Sequence, residues 1–284
     1  MNRFVGPVRV LLLCAWLLVC SLAGCATTLV YNHADWLLKR QLDAYFDLSH
    51  SQKAFVSARL HAIHDRHRRE ALPRYEQVLW DVRSRIQRGL SSDDLNWAMA
   101  QYDQLRADLF ARFVQDGAEF VRSVEDRQLP RVKRALDKRL ANQKRSVEET
   151  AEARLAEQTK RMTALAREWL GSLNSEQERQ VEQLVMAFPD TLPITYAHQL
   201  RKNDQFMTML ESRSTSDVQA KLRQWLVHSE QDADPAFREA TRQLRAHITQ
   251  LVLALDRMAT PVQRQHVIAK LDDLAHTVQD LQRA

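Results

Sequence analysis

Glycine is scarce in this chain. Five occur in 284 residues, and only Gly89, Gly117 and Gly171 fall after position 24. A β-rich domain of this length needs many more turn glycines, and no alternating Val/Ile/Thr runs are present to form strands. Catalytic signatures are missing too. There is no Gly-rich phosphate loop, no His-Glu-x-x-His and no Gly-x-Ser-x-Gly, so the residues imply no cofactor, no metal and no enzymatic reaction. Acid pairs such as Asp93-Asp94 and Asp272-Asp273 sit at helix starts or on polar helix faces, where dipole and solvent account for them. Strong charge of one sign is also lacking. The formal net charge is +5, and it falls to +3 once the first 24 residues, with Arg3 and Arg9 and no acid, are set aside. So mild a balance does not point to nucleic acid.

Cysteine occurs three times, and its placement is informative. Arg3 and Arg9 give a basic start, Val10 to Leu22 is almost wholly apolar, and Leu22-Ala23-Gly24-Cys25 then reads as a lipobox. The apolar run is short for a membrane span, which needs roughly 20 residues. Residues 1–24 are therefore expected to be a lipoprotein signal peptide, with Cys25 lipidated and residues 25–32 a short tether. Cys14 and Cys20 leave with the signal, so no disulfide or cysteine nucleophile remains. Two or more acyl chains, at about 0.8 kcal/mol per buried CH₂, hold a protein to a membrane where one chain is marginal. Ala26 after the lipidated cysteine, by the sorting rule of bacterial lipoproteins in general, favours the periplasmic face of the outer membrane over the inner membrane.

Residues 33–284 are expected to form one all-α unit, an elongated multi-helix bundle of long helices. Three stretches carry the same local pattern: Leu48-Ser49-His50-Ser51-Gln52, Leu173-Asn174-Ser175-Glu176-Gln177 and Ala259-Thr260-Pro261-Val262-Gln263. Each places a small polar N-cap (Ser49, Asn174, Thr260) three residues before a Gln (Gln52, Gln177, Gln263), which is a capping box. Four residues beyond each Gln stands Val56, Val181 or Val267, and apolar residues follow at the eighth and eleventh positions. That spacing is one face of a helix. A single helix is expected from the Ser91 cap through Leu95, Met99, Leu105 and Phe113 to Val124, with Gly117 standing where another apolar residue belongs. Pro130 is expected to interrupt the helical pattern, and a long charged helix is expected from Arg131 to Trp169. Trp36, Trp80, Trp97, Trp169 and Trp225 are expected in the core. From Gln52 to Asp94 is 42 residues and from Gln177 to Asp217 is 40, each with a Leu-Pro break and a polar cap. Either two copies of a helical unit are joined by the charged helix, or helices of similar length recur by chance.

The lipobox, Leu48 to Gln52 with Leu72-Pro73 beyond it, and Trp169-x-Gly171-x-Leu173-x-x-x-Gln177 together resemble the proteobacterial lipoproteins grouped as domain-of-unknown-function family 6279. The resemblance extends over the whole mature chain and implies an envelope lipoprotein without an assigned activity. The repeated box also resembles the Leu-Thr-x-x-Gln motif of the Spy and CpxP periplasmic chaperones, helical cradles for unfolded clients. Leu-Thr stands here as Leu-Ser, Leu-Asn and Ala-Thr.

One run is chemically distinctive: His61, His64, Arg66, His67, Arg68 and Arg69, with Asp65 and Glu70 among them. Two of the histidines at helical spacing suit a metal, but the arginines repel a cation. A solvated basic face, or contact with phosphate head groups or acidic polymer, fits better. The expectation is a membrane-anchored, periplasmic, outer-membrane body that binds envelope proteins, or alternatively a spacer touching cell wall or lipid through this basic face.

Overall fold

The computed structural model describes residues 24–283, with side chains from Thr28 onward; residues 1–23, and with them Leu22 and Ala23 of the lipobox, lie outside the described residues. The described chain is all helical. Thirteen α-helices follow one another: α1 Gly24–Asn32, α2 Ala34–Phe46, α3 His50–Glu70, α4 Leu72–Gln87, α5 Ser92–Ala111, α6 Val114–Ser123, α7 Leu129–Val147, α8 Ala151–Leu170, α9 Ser175–Met186, α10 Leu192–Glu211, α11 Val218–Leu226, α12 Pro235–Met258 and α13 Pro261–Arg283, with a single 3₁₀ turn at Asp126–Gln128 before α7.

Several boundaries differ from the sequence expectation. The tether at 25–32 is helical, and only His33 separates α1 from α2. The Ser91-capped helix is interrupted at Arg112-Phe113, which splits it into α5 and α6. The charged helix from Arg131 breaks at Glu148-Glu149-Thr150, where the Thr150 hydroxyl caps α8 by accepting from Ala153 N. Pro130 does not interrupt; it occupies the first turn of α7, where its missing N–H has no intrahelical partner to lose.

The three glutamine capping boxes are where the sequence expects them, and the structure adds a fourth that closes on glutamine, besides the box of Ser91 and Asp94 at the start of α5. At Ser49, Asn174 and Thr260 the cap N–H donates to the Gln Oε1 at 3.0, 3.1 and 3.0 Å. Glu125 N donates in the same way to Gln128 Oε1 at 2.8 Å. With the four glutamines superposed, the fourth residue on is Val56, Val132, Val181 or Val267.

The boxes are joined in pairs. Gln52 and Gln128 exchange amide hydrogen bonds at 3.1 and 2.9 Å, and Gln177 and Gln263 exchange theirs at 2.8 and 3.0 Å. Each side-chain amide also donates to a carbonyl just ahead of its partner's cap: Gln52 to Ser123, Gln128 to Phe46, Gln177 to Met258 and Gln263 to Ser172. All four side chains are buried. Burial of a primary amide is tolerable here because both its donors and its acceptor are used.

Around the first pair, α2, α3, α6 and α7 enclose a core of Phe46, Val56, Leu60, Phe120, Val121 and Val132. Around the second, α8, α9 and α12 enclose Ala166, Val181, Val185, Leu244 and Leu251. The remaining helices cross over. From the second half, α10 packs on α7 and α11 on α6, adding Met209, Leu210, Val218 and Leu222 to the first core. From the first half, α4 lies along α13, where Leu79 meets Leu271 and Ala275. Gly117 of α6 serves this exchange: a Cβ there would come within 2.8 Å of the Leu222 side chain of α11.

Polar ties follow the same crossing. Arg83 of α4 pairs with Asp272 of α13. Arg245 of α12 grips Asp103 of α5 through two nitrogens at 2.8 and 3.0 Å.

Candidate functional site

The basic run of the sequence lies on the C-terminal half of α3, against α1. Its residues do not form one surface. Arg66 and Arg69 are exposed, as is His61, whose ring nitrogens lie 3.6 Å from Asp35 and 3.5 Å from Asp65. His67 is turned inward and buried. It joins two tyrosines: Tyr31 Oη lies 3.0 Å from Nδ1, and Tyr75 Oη lies 3.1 Å from Nε2. His64 is half-buried with its ring centroid 4.7 Å from that of Tyr31. Arg68 holds the end of α1, donating to Asn32 Oδ1 at 2.9 Å with its guanidinium 5.7 Å from the Tyr31 ring centre.

Two members of the expected binding face, His67 and Arg68, are therefore joints between α1, α3 and α4. The reason lies in phase. Position 67 continues the buried stripe of Val56, Leu60 and Ile63, while 61, 66 and 69 fall outside it. A tyrosine pair able to receive the imidazole from both sides was not legible in sequence, because Tyr31 and Tyr75 lie on other helices.

Burial shapes the acid–base chemistry of this joint. It lowers the His67 imidazole to a pKa of about 4, with the Arg112 charge adding to the effect. It raises both phenols to about 12, with the Arg68 charge opposing the rise at Tyr31 and that of Arg112 opposing it at Tyr75. His64 is lowered as well, by burial first and by Arg68 second. At neutral pH Tyr31, His67 and Tyr75 form an uncharged chain of hydrogen bonds beside the Arg68 guanidinium. Among the described residues, no group of three or more His, Cys, Asp or Glu is arranged to hold a metal ion.

Cys25 falls within α1, one turn before Leu29. Of the six capping residues, Asn174, Gln177, Thr260 and Gln263 meet as one pair of boxes, whereas Ser49 and Gln52 meet the box at Glu125 and Gln128, which lies outside the six. Asp94 is also structural. It is buried at the start of α5, where hydrogen bonds from the side chain and backbone of Ser91 come first, with Arg85 and Arg88 beside it, in holding its carboxyl down to about 2.

A second feature escaped the sequence reading. Between α10 and α11 runs an open groove of about 570 Å³, lined by His198, Lys202, Met209, Lys221, Trp225 and Asp232 among others. Trp225 is fixed by its Nε1 donating to Lys202 O at 2.9 Å, and the Lys202 ammonium lies 4.1 Å from the Trp225 ring centre. At the groove's edge the His198 ring stacks on Phe237 with centroids 3.9 Å apart. The lining combines the Trp225 ring with charges of both signs, a mixture suited to an amphipathic segment. Trp225 read in sequence as a core residue; it is half-buried, as are Trp80, Trp97 and Trp169, while Trp36 is 54% exposed.

No curated protein and no solved structure matches the chain. A family model does, over residues 44–238, which takes in α3 to α11 but neither α1 nor α13. The match covers more than half of the sequence and less than the whole mature chain that the motifs imply: the chain belongs to the family of unknown function DUF6279.

Proposed function

We propose that this protein is a lipoprotein anchored through Cys25 on the periplasmic face of the outer membrane, and that its helical body is a binding or chaperone-like interaction module for envelope proteins. The observation that carries the binding role is the α10–α11 groove. Its aromatic floor at Trp225 and its Lys202, Lys221 and Asp232 rim suit a partially apolar segment of another protein, and recognition of that kind requires no covalent chemistry. The anchor is supported by the apolar run that ends in Leu22-Ala23-Gly24-Cys25. The test has two arms. Labelled fatty acid is expected to attach to the wild type and not to Cys25→Ser. The wild type is expected to delay aggregation of an unfolded envelope protein, and Trp225→Ala to lose most of that effect at unchanged helix content. Equal protection by both forms removes the groove from the reading.

A second reading, a spacer that touches cell wall or lipid through the α3 face, is supported by exposed Arg66 and Arg69 on a helix that packs beside α1. Replacing both with Glu is expected to weaken co-sedimentation with anionic lipid, and no change counts against it.

We also infer that the body is built from two six-helix units, α2–α7 and α8–α13. Support comes from the matched order of elements: box, Leu-Pro helix, polar-capped helix and second box in each. It comes too from the two glutamine pairs and from the reciprocal crossing of α4 and α10.

A further inference from the structure

The helix that follows the anchor exposes its apolar residues. Large hydrophobic side chains open to solvent gather in one short stretch: Leu29 is 60% exposed, Val30 48%, Trp36 54%, Leu37 40% and Leu38 44%. Because α1 and α2 are separated by His33 alone, with Leu37 N donating to His33 O at 2.9 Å, the two run on as nearly one helix. Residues 29, 30, 33, 36, 37, 40 and 41 are all exposed and follow the helical repeat along one face. That face begins apolar, with Leu29, Val30, Trp36 and Leu37, and becomes polar at Arg40 and Gln41. The opposite side is occupied: α1 packs on α13, and Tyr31 reaches His67. The chain therefore buries the tyrosine and presents the leucines, the reverse of a helix folded only for its own core.

We propose that this stripe of α1–α2 docks onto the lipid surface to which the chain is anchored, with Leu29, Val30, Trp36 and Leu37 seated at the boundary between head groups and acyl chains. The inference rests on the anchored reading above for its proximity. Leu29 lies four residues beyond Cys25, about 6 Å along a helix that rises 1.5 Å per residue, and Trp36 lies roughly 16 Å beyond it. No freely jointed linker intervenes, since residues 24–32 are helical, so an anchor at Cys25 brings the stripe to the bilayer.

The chemistry agrees. Tryptophan favours the interfacial zone, where its ring is solvated by head groups and hydrocarbon together. The Arg40 guanidinium, 5.5 Å from the Trp36 ring centre, is placed to meet phosphate while its stem covers apolar surface. The acid within the stretch is engaged, because Asp35 accepts from Trp36 N at 2.7 Å and faces His61. An amphipathic face beside an acyl anchor supplies the second signal that turns tethering into a fixed orientation. With the stripe held down, the body stands in one attitude to the membrane.

The experiment uses the full chain, reconstituted in vesicles of phosphatidylethanolamine and phosphatidylglycerol with brominated acyl chains, and reads tryptophan fluorescence as the difference between wild type and Trp36→Phe. The wild type is expected to show a blue-shifted component that bromine quenches and aqueous acrylamide does not, absent from Trp36→Phe. Leu29→Ser/Leu37→Ser is expected to shift that component back to acrylamide at unchanged helix content. If the Trp36 component stays open to acrylamide in the membrane-bound protein, the proposal fails. It also fails if residue-37 cross-links show a second copy or another protein covering the face. Fractionation of Cys25→Ser separates the two readings. If that variant remains membrane-bound with Trp36 quenched by bromine, the anchor assignment falls and the stripe stands. If Cys25 is lipidated while Trp36 faces water, the stripe falls and the anchor stands.

Discussion

At the scale of single residues, the glutamines govern the interior. Each of Gln52, Gln128, Gln177 and Gln263 closes its own capping box, bonds a partner glutamine and donates to a carbonyl from another helix end. Truncating one leaves its partner amide short of two buried hydrogen bonds and a backbone carbonyl short of its side-chain donor, which costs more than a typical hydrogen bond contributes. Gln177→Ala is expected to lower unfolding stability by about 2–4 kcal/mol in urea titration. Because the first change already removes the two hydrogen bonds between Gln177 and Gln263, Gln177→Ala/Gln263→Ala should cost clearly less than the sum of the singles. His67 makes the stability depend on pH. Its folded pKa of about 4 lies below the ordinary 6.5, so below pH 6.5 the unfolded chain takes up a proton that the folded chain refuses. Stability is full above 6.5 and falls as the pH drops towards 4, by roughly 3 kcal/mol in all. Denaturation midpoints across that window should flatten in His67→Gln, which keeps hydrogen-bonding atoms and does not titrate. Asp94 acts at lower pH, its contribution being present above its ordinary 3.8 and lost towards 2.

At the scale of helices, the sequence was legible wherever a local signal sufficed. Three boxes, the Leu-Pro starts of α4 and α10 and the caps of α5 and α11 are set by residues within one turn, and the structure places them as read. The signals that failed had competing local meanings. Glu125 is an unusual cap and Pro130 looks like a breaker, so the box at Gln128 was hidden although Val132 stands at the same offset as Val56. The mixed charge of residues 131–169 supports helix on both sides of Thr150, and only the observed cap at Thr150 divides α7 from α8. Gly117 reads as a missing apolar residue and proves to be the clearance that lets α11 lie on α6. Gly117→Val is expected to destabilise by about 1–3 kcal/mol, since the buried Leu222 has little room to yield. The measurement is a lowered thermal midpoint, with Gly117→Ser giving a smaller loss.

At the scale of the whole molecule, the crossing of α4 and α10 decides how the protein comes apart. A fragment ending near Glu148 lacks α10 and α11, which complete the first core, and its complement lacks α4, which covers α13. Each expressed alone is expected to be poorly structured by circular dichroism. Co-expressed, the two should assemble into a complex with the helix content of the intact chain. Two fragments that each fold independently would contradict the exchange. The family match ends at Arg238, before the box at Thr260 whose Gln263 completes the second pair. Truncation to the matched residues is therefore expected to unfold α8 and α9. The sequence by itself determined helix content, the boxes and the apolar stripe of each helix, because these depend on neighbours three and four residues away. Only the tertiary structure decided which boxes meet, which of the histidines and arginines on α3 point outward, and which apolar residues of the described chain lie exposed. Those outcomes depend on contacts with other helices, 36 positions away for Tyr31 and His67 and 76 or 86 in the two glutamine pairs, and the periodicity of one helix carries no information about the helix it will touch.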